Sequence, residues 1–568
     1  MCGVHGYLSG EDAGRVWKMA DACRHRGPDG PPSVWSDDRV TLGHNLLAIR
    51  SPATVQPYES DVGVLSYNGE LYYPEVEGND TLALSALLDR YKWTGTLTAG
   101  PAALSHRDWS ASRLDGPHAL AYYHKDSSTL TLSRDRTGAR SLYYAEIDGK
   151  LAFSSELRGL VAAGLEAILD PDGVRLFLTL GHVPGPKTIL KGVSKLVPGE
   201  VRTYSPDSLL LSSRIGFSPA QPTEFSVKEL RGKLVETVRR ALPPPGVPCG
   251  MFLSGGLDSA AVAWAAAELG RPLPAVTARF AHGDECDNAA ELAKFLGAEH
   301  FEVPFGEADY LPRLADAVRA WDAPAVSRGV PAYVATHAAA SRLGWKVVVT
   351  GDGGDELLTG YKRHAAVFDP FASPENPLGR WLRLTSKDLP PTVWRDGSSF
   401  DVGAYMNSWL PGNVSSDPLQ AQLEIENLCH LPEEYLCRND KFGMWYGMEC
   451  RSPLLHEPLR SYLLGLPAED KLRFGCSKWP LRRALGRVLP ACIIDKPKTG
   501  WAPPFGDWLG GKAAFSGPIG KAIDETVRAG VCPALDRVID VDAARSCGIK
   551  IVIGLFLLSK WARAAGVS

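Results

Sequence analysis

The chain has no long apolar run, no paired-cysteine motif and almost no net charge, and each absence narrows what it can be. Its 11 cysteines are scattered without a CxxC spacing and its 13 histidines follow no finger-like pattern. That argues against a structural zinc site and a disulfide framework, and a reducing, cytoplasmic setting is expected. The longest apolar run near the end, 551–558, is too short to span a bilayer, and the first residues lack the basic-then-apolar pattern of a secretory signal. With 61 Lys and Arg against 65 Asp and Glu the formal charge is −4, so neither nucleic acid nor an anionic membrane is expected as partner. Small molecules become the default ligands, and a homodimer stays open.

What is present is ordinary soluble globular material. The 568 residues are 45% hydrophobic and 22% charged, enough for two or more domains with cores of their own. Up to about 204 the apolar runs are short and divided by turn residues, as in Leu130-Thr131-Leu132 and Leu151-Ala152-Phe153, which is β-rich texture. A Ser/Pro/Gln stretch at 212–223 follows. Ser226-Val227-Lys228-Glu229 then reads as a capping box opening a helix, with Leu230, Leu234, Val235, Val238 and Leu242 on one face. The expected domains are therefore 1–212 and 224–568.

The second region alternates strands and helices: strands at 250–253, 274–280 and 346–350, and helices after Asp258 and over 288–296. This predicts a parallel, doubly wound α/β sheet. A Pro/Gly/Ser-rich stretch at 368–416 interrupts it, and the chain from 419 onward reads mainly helical.

Cys2, followed by Gly3, is the first chemical signal. Met1 before a small residue is expected to be clipped, which places a thiol and an α-amine on one residue. A thiol attacks an amide once deprotonated, and an amine of near-neutral pKa can take that proton.

The strongest motif is Leu253-Ser254-Gly255-Gly256-Leu257-Asp258-Ser259 at the end of a strand. Glycines let backbone N–H groups approach an anion, and the helix start adds its positive dipole end, so phosphate chemistry is the natural use. Its order resembles the pyrophosphate loop of N-type ATP pyrophosphatases. Gly351-Asp352-Gly353-Gly354-Asp355-Glu356 follows Val347-Val348-Val349, so its carboxylates emerge at the carboxyl edge of the same sheet. Asp258 and Asp355 are a candidate Mg²⁺ pair, hard oxygen ligands of the kind that cation takes alongside phosphates. A solvated acidic turn is the alternative for Asp352 and Asp355.

Over nearly its whole length the chain resembles the glutamine-dependent asparagine synthetase family. The resemblance is carried by Met1-Cys2-Gly3, Arg24-His25-Arg26-Gly27-Pro28-Asp29, Asn68-Gly69-Glu70-Leu71-Tyr72, Arg134-Asp135-Arg136-Thr137-Gly138, the two glycine loops, the segment 440–455 and Lys498-Thr499-Gly500-Trp501. It implies an α+β N-terminal nucleophile glutaminase of stacked antiparallel sheets between helices, joined to an α/β ATP pyrophosphatase domain with a helical C-terminal region.

By that resemblance Cys2 attacks the glutamine side-chain amide, and the Asn68 side chain and Gly69 N–H hold the oxyanion. Glu70 and Asp80 bind the glutamine ammonium. A lone Asn-Gly is also a turn, and Asp80 is also a candidate helix cap. The ATP site comprises Leu253, Ser254, Gly255, Gly256, Asp258, Ser259, Thr277 and Gly351, with Mg²⁺ on Asp258 and Asp355. Lys498 neutralises charge near the α-phosphate, and Asp352 orients or deprotonates the incoming amine. A carboxylate attacks ATP to give an acyl-adenylate and pyrophosphate, and ammonia carried through an internal passage displaces AMP.

Three departures from the family pattern concern substrates. Leu46 stands where an Arg usually binds the glutamine carboxylate; Arg50 is the nearby substitute, or else a surface arginine. His456 stands where an Asp is usual, and Trp445-Tyr446 is bulkier than the common residues, which core packing also explains. Ala325-Val326-Ser327-Arg328 departs from the usual acidic and small composition. The acceptor is thus aspartate or a related acid. A lactam or lasso-peptide macrolactam synthetase using an internal amine is the alternative, and intact Cys2 and Asn68-Gly69 count against it.

Overall fold

The computed structural model describes residues 2–49, 54–72, 78–90, 114–216, 220–281, 285–324, 326–366, 376–387, 389–412, 414–496, 503–511 and 515–567. The chain forms two compact units. The first comprises Met1–Ala167, Gly185–Ser218 and Asn439–Glu449; the second comprises Ile168–Pro184, Pro219–Arg438 and Cys450–Ser568.

In the first unit two six-stranded sheets are antiparallel throughout. One runs in the order Val193–Lys195, Tyr143–Ile147, Lys150–Ser154, Gly3–Tyr7, Thr41–Asn45, Ser33–Ser36; the other runs Leu210–Ile215, Glu200–Tyr204, Thr129–Arg134, His118–His124, Gly63–Gly69, Tyr58–Glu59. Alternate side chains of each sheet point inward, and Val4, Leu42 and Phe153 of the first meet Val64, Ala121, Leu130 and Leu132 of the second in one buried cluster. The helix Ala13–Ala22 contacts the strands Gly3–Tyr7 and Thr41–Asn45, and Asp80–Arg90 contacts Gly63–Gly69. Stacked antiparallel sheets flanked by helices are the architecture the N-terminal region was expected to have. The last strand extends to Ile215 and pairs it with Glu200, so the stretch 212–223 begins as strand before it becomes a connection.

The second unit is built on parallel strands in the order His300–Pro304, Ala275–Arg279, Cys249–Phe252, Val347–Val349, with Thr350 N donating to Arg451 O beyond the last (2.9 Å). Between them run the helices Leu257–Glu268, Glu285–Phe295 and Val330–Arg342. The Val347-Val348-Val349 strand is buried on both faces, as suits a strand with a neighbour on either side. Ser226 caps Val227–Ala241, its Oγ accepting from Glu229 N at 3.3 Å, and Leu230, Leu234 and Val238 are buried with Thr237 and Ala241; Val235 is half-buried.

The interrupting stretch holds helices Pro377–Thr385 and Val402–Asn407 with Trp381 fully buried, so its described part is packed structure. From 419 onward helices dominate, ending in Ile549–Ala564. Among the described residues no helix is long and apolar enough to cross a membrane, and all eleven thiols are free.

Candidate active site

In the first unit Cys2 opens the central strand of its sheet and is 6% exposed. Its backbone N–H donates to Asn68 Oδ1 at 2.8 Å, and Arg26 Nε donates to its carbonyl at 3.1 Å. Asn68 lies on the facing sheet, in Gly63–Gly69, and is fully buried. Because its oxygen accepts from Cys2, the amide orientation is set by this bond, and its Nδ2 is a buried donor with no partner among the described residues. A buried donor left unmatched costs free energy unless something else accepts from it. Burial pushes the Cys2 thiol up, and Glu449 and Asp80 add to the effect.

A small cavity of about 50 Å³ beside Cys2 is lined by Gly69, Glu70, Asp80 and Glu449 among others. Glu70 and Asp80 of the expected glutamine set are therefore brought together, with Asp80 as the first residue of its helix. Glu449 is the member that sequence reasoning missed, since nothing local marks a residue so far down the chain. Arg50 lies outside the described residues. Leu46 lines the same cavity, and its carbonyl accepts from Asp29 N at 3.2 Å.

Behind Cys2 is a buried charge network. Arg26 donates to Glu156 (2.9 Å) and to both Asp440 oxygens (2.9 and 3.0 Å), Lys441 Nζ donates to Ser155 O at 2.8 Å, and Arg26, Glu156, Asp440 and Lys441 are fully buried. Neighbouring cations hold Glu156 well below the usual carboxylate range although burial opposes it. A satisfied network of this kind locks the Arg26 fork under the Cys2 carbonyl. Trp445, half-buried, packs here too, 5.0 Å from the His25 ring and 5.4 Å from the Arg158 guanidinium.

The second unit carries a cavity of about 500 Å³ at the carboxyl edge of its parallel strands. Leu253, Ser254, Asp258, Ser259, Thr277, Gly351, Asp352 and Asp355 all line it; Gly255 and Gly256 shape the loop without facing the cavity. Gly255 has φ +66°, and a Cβ there would meet Glu285 O at 2.3 Å, so conformation and space both require glycine. Ser254 and Ser259 close the loop on itself: Ser254 N donates to Ser259 Oγ (3.2 Å), and Gly256 N donates to Ser254 Oγ (3.3 Å). Thr277 Oγ1 donates to Leu253 O. The second loop presses against the first, since a Cβ on Gly354 would sit 2.3 Å from Asp258 Oδ1.

Between the loops stands Lys478, a residue sequence reasoning passed over. Its ammonium contacts Asp258 Oδ2 and Asp355 Oδ1, its side chain is 5% exposed, and its backbone adopts φ +56°. A non-glycine residue in that region is strained, and here it begins the helix Trp479–Leu485, anchored by Lys478 N donating to Leu358 O (3.0 Å). The two carboxylates thus converge on one cation. Lys498 lies outside the described residues.

Glu356, the residue after Asp355, is 2% exposed and accepts from the Tyr361 hydroxyl. Burial, helped by the charge on Asp355, pushes its carboxyl up to about 8. Asp352 shares the cavity with Arg438, whose guanidinium lies 4.4 Å over the Tyr333 ring. Val326, Ser327 and Arg328 line the cavity, whereas His456 does not.

One unit thus offers a buried thiol in a cavity with carboxylates, and the other a glycine-rich loop with paired acids at a sheet edge. Residues 229–516 match the family model for asparagine synthase and residues 1–213 that for a glutamine amidotransferase domain, and the chain belongs to the asparagine synthase family of ligase-type enzymes. It is 24% identical to "Asparagine synthetase [glutamine-hydrolyzing] 1" of Bacillus subtilis, covering 87% of this chain and 84% of that one. It is 25% identical to "Asparagine synthetase [glutamine-hydrolyzing] 3" of the same organism (88% and 86%). A fungal relative, "Amidase chyE" of Penicillium rubens, is 28% identical over 86% of this chain and 85% of its own.

Proposed function

We propose that the chain hydrolyses glutamine at Cys2 and uses the released ammonia to convert a carboxylate, activated with ATP, into an amide. The regions 1–212 and 224–568 serve as glutaminase and synthetase. The observation that carries the reading is the bond from Cys2 N to Asn68 Oδ1, which leaves Asn68 Nδ2 as a buried, unmatched donor next in sequence to Gly69 of the Cys2 cavity. That donor suits the oxyanion of a tetrahedral intermediate, where one such bond contributes ~3 kcal/mol. Once Met1 is removed, the freed amine of Cys2 takes the thiol proton, a needed step because burial holds the thiol protonated. Glu70 and Asp80 accept from the glutamine ammonium, and Arg50 binds its carboxylate.

In the synthetase, Ser254, Gly255, Gly256 and Ser259 cradle the pyrophosphate end of ATP. Asp258 and Asp355 fit Mg²⁺, because their oxygens already converge on a single cation and the ion takes oxygen ligands together with phosphates. The ion supplies charge neutralisation to the leaving pyrophosphate. Lys478 and Lys498 hold positive charge near the α-phosphate as the acceptor carboxylate attacks. Asp352 orients the amine that displaces AMP. The acceptor is aspartate or a related acid, met by Arg328 and Arg438 in the cavity.

Incubation with ATP, Mg²⁺, glutamine and a panel of carboxylates, following pyrophosphate, glutamate and amide together, tests this. Equimolar glutamate, pyrophosphate and amide are expected with one acceptor. Pyrophosphate and product without glutamate consumption would overturn the glutaminase half of the reading and favour an internal amine.

A further inference from the structure

His182, His430 and Glu434 stand apart in sequence from both glycine loops, yet in the second unit one ligand atom from each lies within 4.8 Å of the others. We infer that these three side chains form a binding site for a divalent transition metal of the imidazole-favouring class, such as Zn²⁺ or Co²⁺, in the wall of the synthetase cavity. The inference is independent of the proposed ATP chemistry.

The local structure holds each donor in place. Gly181 ends the helix Pro171–Leu180 in the left-handed conformation, and its carbonyl accepts from Val326 N at 2.7 Å, so the turn carrying His182 is pinned. Two residues further, Pro184 O accepts from the Tyr405 hydroxyl at 2.9 Å. His182 is 2% exposed. On the other side His430 precedes a π-helical turn, Leu431–Leu436, which carries Glu434. Such turns are rare and are frequently found at functional sites. Here His430 Nε2 and Glu434 Oε2 come within 3.3 Å, close to the roughly 3.3 Å between two ligands held at ~2.0–2.1 Å on a tetrahedral ion.

The rings of His182 and His430 are tilted by 58° with centroids 5.3 Å apart, so they do not stack face to face. The nearby cation Arg363 is neutralised by two hydrogen bonds to Glu426 (2.7 and 2.9 Å), and Glu434 would share its charge between the bound ion and Arg438. Two imidazoles and one carboxylate suit zinc, cobalt, nickel or iron and do not suit Mg²⁺. Glu434 and Gly181 both line the 500 Å³ cavity, so a fourth position on the ion would open toward the acceptor side of the pocket. The ion would cross-link the 181–184 turn to the π-helical segment and stiffen that wall.

Co²⁺ titration of the full-length, chelator-treated protein tests the site without reference to activity. One saturable equivalent per chain with visible d–d absorption is expected, with a rise in the thermal midpoint. His182→Asn and His430→Gln should each weaken binding by at least about 100-fold, the upper end of what losing a mere supporting group costs, and Asp258→Asn should keep the signal. Far-UV circular dichroism confirms that each variant is folded, and two variants guard against one failing to fold. Absence of saturable Co²⁺ binding, equal affinity in wild type and His182→Asn, or a thiolate charge-transfer band would each overturn the assignment.

Discussion

The Lys478 ammonium donates to the Asp258 carboxylate across a sequence separation of 220 residues, and the same nitrogen reaches Asp355. This contact joins the two acidic loops. It sets the charge balance of the cavity: without Lys478, two carboxylates would face each other in a buried space.

Lys478→Met should lower ATP–pyrophosphate exchange by about 100-fold or more while glutamine hydrolysis is retained, since one lost charge stabiliser costs ~3 kcal/mol in the transition state. Removing the cation from this part-buried cluster also destabilises, by about 1–3 kcal/mol. The double variant Lys478→Met/Asp355→Asn removes one of the two unmatched charges and should recover part of the thermal stability but not exchange. Exchange at the wild-type rate in the single variant would return Lys478 to a purely structural role.

Cys2→Ala should abolish glutamine-dependent amide formation and leave ammonia-dependent formation measurable. The thiol and its Asn68 partner lie in the first unit, and every residue proposed for ATP lies in the second. Parallel assays with glutamine and with an ammonium salt decide it. Loss of both activities in a folded variant would contradict two separate centres.

Glu356 makes stability depend on pH. Its folded pKa of about 8 lies above the ordinary 4.5, so between those values the native chain holds a proton that the unfolded chain has lost. Stability from this group is complete below about 4.5 and declines as pH rises toward 8, by up to ~1.4 kcal/mol per unit. Glu356→Gln mimics the protonated form and should gain on wild type steadily from pH 5 to pH 8 in thermal midpoint. A pH-independent difference would show that the carboxyl does not titrate there.

Arg50→Ala should raise the glutamine KM and spare ammonia-dependent turnover. A lost charge-assisted bond to the substrate carboxylate costs ~1.5–3 kcal/mol, roughly ten- to a hundredfold in kcat/KM. The prediction rests on Leu46, which lines the Cys2 cavity and offers no charge. An unchanged KM would make Arg50 a surface arginine.

The parts of the sites that were legible are those with short-range causes. The glycine at 255 was readable because only that residue tolerates φ +66° against the Glu285 carbonyl, and the Ser226 cap because its side chain bonds a backbone N–H three residues on. The β-rich first region was foreshadowed by short apolar runs divided by turn residues, and the parallel sheet by Val347-Val348-Val349. By contrast, the scattered histidines read as having no metal pattern, since His182 and His430 share no motif spacing.

By itself the sequence determined the local chemistry of this protein: a thiol beside a glycine at position 2, two glycine-acid loops at strand ends, and helix and strand periods that dictate two unlike units. Those features follow from backbone sterics and hydrogen bonds that act over a few residues. Only the tertiary structure decided that Glu449 joins Cys2, that Lys478 holds Asp258 and Asp355 together, and that His182 meets His430 and Glu434. Each of those meetings depends on chain segments packed from far apart, where burial and the pairing of charges, rather than local propensity, select the partner.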